Sequence, residues 1–138
     1  MIHAQGLFKK YDSLQVLKGI DLEIKQGEIV SIVGASGAGK STLLHILGTL
    51  DNADSGILTI DGIEVTQLRD KKIAQFRNQK IGFVFQAHHL LPEFTALENI
   101  MMPALIGGSS KSDATQKAKA LLNQLGLSDR EEHRPSEL

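Results

Sequence analysis

The stretch IVSIVGASGAGKSTLLHILG, residues 29–48, decides how the rest of the chain is read. Its centre, residues 34–41, spells GASGAGKS and fits G-x-x-x-x-G-K-[ST], the phosphate-binding loop known as Walker A. The context agrees with the pattern. The β-branched apolar run of residues 29–33 predicts a strand leading in, and KSTLLHILG predicts a helix leading out. Gly34, Gly37 and Gly39 have no Cβ, so the backbone bends tightly and brings its N–H groups against phosphate oxygens. Ala35, Ser36 and Ala38 complete that backbone cradle. The new helix turns the positive end of its dipole toward the same anion. Lys40 reaches the β- and γ-phosphates as a point charge, the Ser41 hydroxyl ligates Mg²⁺, and Thr42 follows in the first turn. Leu43, Leu44, Ile46 and Leu47 are expected in the core, with His45 a packing or partly exposed residue rather than a catalyst. The motif predicts a nucleotide site. By itself it does not separate kinases, GTPases and transport ATPases.

The bulk properties narrow the class. At 138 residues the chain is the size of one ordinary domain, 41% hydrophobic and 22% charged. A net charge of −1 lacks the basic excess that a nucleic-acid binder needs to displace counterions, so no nucleic-acid partner is expected. The basic cluster RDKK, residues 69–72, reads as solvated helix surface. With no cysteine there is neither disulfide nor thiolate metal site, which suits a reducing compartment. The start, MIHAQGLFKKYD, has no secretory pattern, and no apolar stretch approaches the length of about 20 residues that spans a bilayer. The expectation is a soluble, cytoplasmic chain that meets membranes only through partner chains.

Outward from the loop, the first third reads as strands. IHAQGLF and VLKGIDLEI are two, and the alternation of Ile20, Leu22 and Ile24 predicts a sheet with one wet face. ILTIDGIEV, residues 57–65, is a hairpin candidate with Asp61-Gly62 at its turn. RDKKIAQFRNQK predicts a helix and IGFVF, residues 81–85, a buried strand. After Pro92 the pattern becomes helical. Thr95 and Glu98 have capping-box spacing ahead of Ile100, Met101 and Met102, and Pro103 should bend or interrupt that helix. A further helix carries Ala114, Ala118, Leu121, Leu122 and Leu125 on one stripe, with Gly126 as its stop and a second capping box at Ser128 and Glu131.

Four further stretches resemble the nucleotide-binding subunit of ABC transporters. Tyr11, in KKYDSLQVLKGIDLEI, is the chain's one tyrosine and sits where that family places an aromatic that stacks on adenine. The early strands and the DG hairpin match its β-subdomain. Gln86, ending IGFVFQ, matches the Q-loop glutamine, which in the family contacts Mg²⁺ and the attacking water. The segment AHHLLPEFTALENIMMPALI resembles the lipoprotein-releasing subgroup, and HRPSEL matches the residues leading into the family's signature motif. His88 and His89 lack the third ligand that zinc geometry wants, so a partner-facing or loop role is preferred.

The resemblance implies an α/β fold: a P-loop NTPase domain of the ABC ATPase type, truncated, with an N-terminal antiparallel β-subdomain and a C-terminal helical subdomain. About residues 1–92 would form the β-rich and P-loop part, and about 93–138 the helical part. The cofactors implied are ATP and Mg²⁺, the metal held by Ser41 and Gln86. The partners implied are a second ATPase copy and two integral-membrane subunits (LolC/LolE-like) met near residues 86–102, at the cytoplasmic face of the inner membrane. The activity implied is that of an ATPase driving lipoprotein release. A macrolide or peptide exporter (MacB-like) and a cell-division ATPase (FtsE-like) remain alternatives.

Hydrolysis in this family also needs a carboxylate after a buried strand. ILTID imitates that pattern, but Gly62 follows and makes Asp61 a turn residue; Glu93, Glu98 and Glu131 lie in loop or helix-start contexts. The chain therefore reads as a cut piece that binds nucleotide without turning it over. In the family the strands at residues 29–33 and 81–85 are separated by strands from further along, so exposed apolar edges are expected here.

Overall fold

The computed structural model describes residues 1–87 and 89–138. The chain divides into two compact units, Met1–Arg77 and Asn78–Leu138.

The first unit is built on a four-stranded antiparallel sheet of order β2-β1-β3-β4, with β1 at Ile2–Tyr11, β2 at Leu14–Ile24, β3 at Ser55–Ile60 and β4 at Ile63–Glu64. On β2 the half-buried Ile20, Leu22 and Ile24 alternate with exposed Asp21 and Glu23, the one-wet-face pattern expected. On β1 the alternation breaks at Gly6, whose φ of 57° takes up an extra residue between the pairs Ala4↔Leu22 and Leu7↔Ile20. The Gly6 N–H then donates to Asp21 Oδ1 at 2.7 Å, so the bulge keeps a partner while Leu7 returns to the buried face. Asp61 and Gly62, at φ 49° and 77°, form the two-residue turn that pairs Ile60 with Ile63.

Helix α1, Lys40–Leu47, buries Leu43, Ile46 and Leu47, spaced i, i+3, i+4 on one face. Leu44 is not in the core as expected: it lies off that stripe, exposed beside the exposed His45. Helix α2, Asp70–Lys80, buries only Phe76.

Two expected strands are corrected. Residues 29–33 and 81–85 have no sheet pairing among the described residues, and Ile29, Val33 and Val84 are 97%, 87% and 100% exposed. A strand is defined by its neighbour, and none of the described strands pairs with either segment.

The second unit is helical. Helix α3, Ala96–Ile106, opens with the capping box: Thr95 Oγ1 accepts from the Glu98 N–H at 3.2 Å, and Glu98 Oε2 accepts from the Thr95 N–H at 2.9 Å. Its first two N–H groups reach the carbonyls of His133 and Glu131, at 2.8 and 3.0 Å. Pro103 does not interrupt the helix, which runs three residues further. Helix α4, Lys111–Gln124, packs Ala114 and Ala118 against Met101. Leu122 is buried with them as expected, continuing the i, i+4, i+8 line of Ala114 and Ala118 into the last turn, whereas Leu121 and Leu125 are exposed, contrary to expectation: the buried face is narrower than the apolar stripe. Gly126, at φ 70°, follows the helix end as anticipated. The capping box expected at Ser128 does not form; its hydroxyl donates instead to Asn123 Oδ1 at 3.3 Å. Among the described residues no helix is long and apolar enough to cross a membrane.

Candidate functional site

The loop ahead of α1 has the backbone that its glycines predict. Gly34, Gly37 and Gly39 adopt φ of 154°, 76° and 89°, values that side-chain-bearing residues rarely reach. The Ala38 N–H closes a turn onto the Ala35 carbonyl at 3.2 Å, and Gly39 serves as the N-cap of α1. Lys40 folds back along the loop, its Nζ donating to the carbonyls of Gly34 at 2.9 Å and Ala35 at 2.7 Å. The ammonium is thus pinned at the mouth of the loop by two neutral acceptors. An anion entering there would compete for it with full charge.

A cleft of about 320 Å³ gathers most of the predicted residues of the first unit. Ser36, Gly37, Gly39, Lys40, Ser41 and Thr42 line it from the loop and helix start, and Tyr11 and Val16 from the β1–β2 hairpin. Tyr11 therefore stands in the same depression as the loop, though separated from it by more than twenty residues of sequence. Gly34, Ala35 and Ala38 belong to the loop but do not line the cleft. Gln86 is exposed and lies in the second unit. His89, at φ 47°, sets its ring edge-on to Phe85 at 4.9 Å, while His88 is outside the described residues. A separate cavity of about 340 Å³, bordered by Thr49, Leu58 and Arg69, holds none of the predicted residues.

Around Tyr11 stands a charged network that sequence reasoning missed. The phenol donates to Asp51 Oδ2 at 2.6 Å, and Lys9 Nζ donates to Asp51 Oδ1 at 2.9 Å. The same ammonium reaches the Asn52 carbonyl at 2.7 Å and lies 5.1 Å from the centre of the Tyr11 ring. Partial burial alone would raise the Asp51 carboxyl, but the bonds from Tyr11 and Lys9 outweigh it and hold the group below its ordinary value. The bond to Asp51 pushes the Tyr11 phenol up, with the Thr42 side chain pulling the other way. For Lys9, desolvation works to lower the ammonium, yet Asp51 and Asp54 prevail and raise it. For Lys9 the available signal was its place two residues before Tyr11, on the same face of one strand. Asp51, forty residues on, carried no local signal.

The chemistry open to this arrangement is anion binding with an aromatic beside it. A helix N-terminus behind a glycine loop favours phosphate, Lys40 adds a positive charge, and Ser41 and Thr42 add hydroxyls at the cleft. These residues fit a magnesium nucleotide, since Mg²⁺ takes few protein ligands and fills its shell with phosphate oxygens and water.

Comparison with known proteins agrees with the geometry. The family profile described as "ABC transporter" matches residues 17–138. The lipoprotein-releasing system ATP-binding protein LolD of Bacteroides fragilis is 58% identical over 138 residues, all of this chain and 64% of that protein. Its namesake in Porphyromonas gingivalis is 59% identical over 138 residues, 100% of this chain and 63% of that protein. The chain thus spans less than two thirds of the length of these relatives. Among solved structures, the dimeric post-hydrolysis state of the ATP-binding cassette MJ0796 bound to ADP and Pi superimposes with a TM-score of 0.90 at 37% identity. That match covers 100% of this chain and 63% of the other.

Proposed function

The chain belongs to the ABC transporter family, and from that premise we propose that it is the nucleotide-binding portion of an ATPase subunit that drives lipoprotein release from the inner membrane. One observation carries the reading: 58–59% identity along all 138 residues to proteins named for lipoprotein release. No comparable observation favours a macrolide exporter or a cell-division ATPase.

In this reading Tyr11 stacks on the adenine and the backbone of residues 34–39 cradles the phosphates. Lys40 exchanges its two loop carbonyls for phosphate oxygens. The Ser41 hydroxyl holds Mg²⁺, Thr42 supports the phosphate end, and Gln86 takes the Q-loop role that the family resemblance implies. Mg·ATP supplies the phosphoanhydride bond whose cleavage powers the cycle. Residues 1–138 hold the nucleotide but do not hydrolyse it alone, because Asp61, the carboxylate that imitates the pattern after an apolar strand, is spent in the β3–β4 turn. A second copy completes the working unit, a pairing supported by the dimeric state of the structurally similar cassette. Residues 86–102 meet two LolC/LolE-like membrane subunits, which keep the protein at the cytoplasmic face of the inner membrane.

The test uses the full-length protein co-purified with its membrane partners and reconstituted with a lipoprotein substrate. ATP turnover and lipoprotein release should both occur, and both should disappear with Lys40→Ala. Turnover without release would reject the lipoprotein reading, and release that survives Lys40→Ala would reject the site.

A further inference from the structure

The network under Tyr11 ties the aromatic to the phosphate loop through a carboxylate. Asp51 lies just beyond α1, and its own N–H is bonded to the His45 carbonyl of that helix at 3.2 Å. The helix that begins with Lys40, Ser41 and Thr42 therefore also sets the position of the Asp51 side chain. Both carboxylate oxygens are engaged: Oδ2 by the Tyr11 phenol at 2.6 Å, Oδ1 by Lys9 at 2.9 Å and by the Asn52 N–H at 2.7 Å. Lys9 is the sunken member, its side chain 11% exposed, whereas Tyr11 is 45% exposed. An exposed tyrosine near a hairpin turn would ordinarily sample several rotamers. Here it is anchored at its far end and overlaid by an ammonium.

We propose that Asp51, supported by Lys9, is a positioning residue that fixes the Tyr11 ring relative to the phosphate loop and thereby sets affinity for the nucleotide base. This rests on the reading of Tyr11 as the base-stacking residue. Its physical content is that base affinity depends on a phenol-to-carboxylate bond, and not on aromatic surface alone. A ring held in place before the ligand arrives loses less freedom on binding. Removing the bond leaves the phosphate contacts intact, so the effect belongs to the base and is absent for a ligand without one.

The experiment measures Kd in the full-length protein for Mg·ATP and for Mg·tripolyphosphate, which carries no base. Tyr11→Ala serves as the control for stacking, and should weaken ATP while leaving tripolyphosphate unchanged. Tyr11→Phe and Asp51→Ala should each weaken ATP by about three- to tenfold, the range of one net hydrogen bond, and also spare tripolyphosphate. The double variant should be no worse than either single, because both remove one bond. A fluorine resonance from 3-fluorotyrosine, assigned to Tyr11 by its loss in Tyr11→Phe, should shift in Asp51→Ala before nucleotide is added. Should Asp51→Ala fold poorly, the isosteric Asp51→Asn takes its place, with the same split expected at smaller size.

If Tyr11→Ala leaves ATP binding untouched, the stacking reading fails. If Tyr11→Ala weakens ATP but Tyr11→Phe and the Asp51 variants do not, stacking stands and the positioning role is overturned. Equal loss of ATP and tripolyphosphate in the Asp51 variants would also overturn it, as would strictly additive effects.

Discussion

Gly39 lies so close to Val16 that a Cβ built on it would come within 2.8 Å of Val16 Cγ1, with Leu17 Cδ2 at 3.1 Å and the Val16 carbonyl at 3.2 Å. The hairpin strand β2 thus presses on the last glycine of the phosphate loop, and sheet and loop hold each other. Gly39→Ala meets two costs: a side chain at φ 89°, about 1–2 kcal/mol, and the clash. Gly27 separates them, because at φ 79° it has nothing within 4 Å. Thermal unfolding should show Gly39→Ala clearly less stable than Gly27→Ala, with Mg·ATP affinity reduced at least tenfold only in the former. Equal stability of the two variants would mean that strand and loop do not bear on each other.

What could be read from the sequence follows the range of the interactions. The Asp61-Gly62 turn and the Thr95–Glu98 box were legible because each is closed within four residues by its own chemistry. The loop at residues 34–41 was legible from its glycine spacing, and the bonds that close it, from Ala38 to Ala35 and from Lys40 to Gly34 and Ala35, all lie within it. Residues 29–33 and 81–85 have strand composition, yet a strand exists only with a neighbour, and composition does not supply one. Leu121 and Leu125 repeat correctly on the stripe of α4, but burial depends on what covers the stripe, which periodicity does not state. The bonds joining Asp51 to Lys9 and Tyr11 span 42 and 40 residues and needed the fold to be seen.

The Lys9–Tyr11–Asp51 network predicts a pH dependence at both ends of the scale. The folded Asp51 carboxyl is depressed below its ordinary 3.8, so its stabilisation is present above that value and is lost as pH falls through the lower folded value. Lys9 and Tyr11 are raised above their ordinary 10.5 and 10.0, so theirs is present below those values and lost as pH rises through the folded ones. Melting temperatures of wild type and Asp51→Asn, compared across the scale, should differ most near neutrality and converge at both extremes. A difference independent of pH would assign the loss to packing.

The exposed apolar residues predict self-association of the 138-residue chain by itself. Ile29 and Val33 in one unit and Val84 in the other present unpaired, β-branched segments of the kind that recruit a neighbouring strand. Sedimentation at increasing concentration should show growing mass. Ile29→Lys and Val84→Lys should each suppress that growth without lowering helix content. A monodisperse wild-type monomer at high concentration would remove the argument.

Asn99 clasps the turn that leads into α3. Its Oδ1 accepts from the Leu91 N–H at 2.8 Å, and its Nδ2 donates toward the carbonyls of Leu91, Phe94 and Thr95 at 3.1, 3.1 and 3.0 Å. One half-buried amide therefore shapes the segment proposed to meet the membrane subunits. Asn99→Ala should cost about 1–3 kcal/mol, the range for stranding partly buried backbone groups. Hydrogen exchange at Leu91 should accelerate, since its N–H loses its acceptor. In the reconstituted transporter, lipoprotein release should fall further than ATP binding, because the variant loosens the docking surface and leaves residues 34–42 alone. Release and ATP binding reduced in equal measure would place the defect in global stability, and unchanged release would take residues 91–95 out of the partner contact.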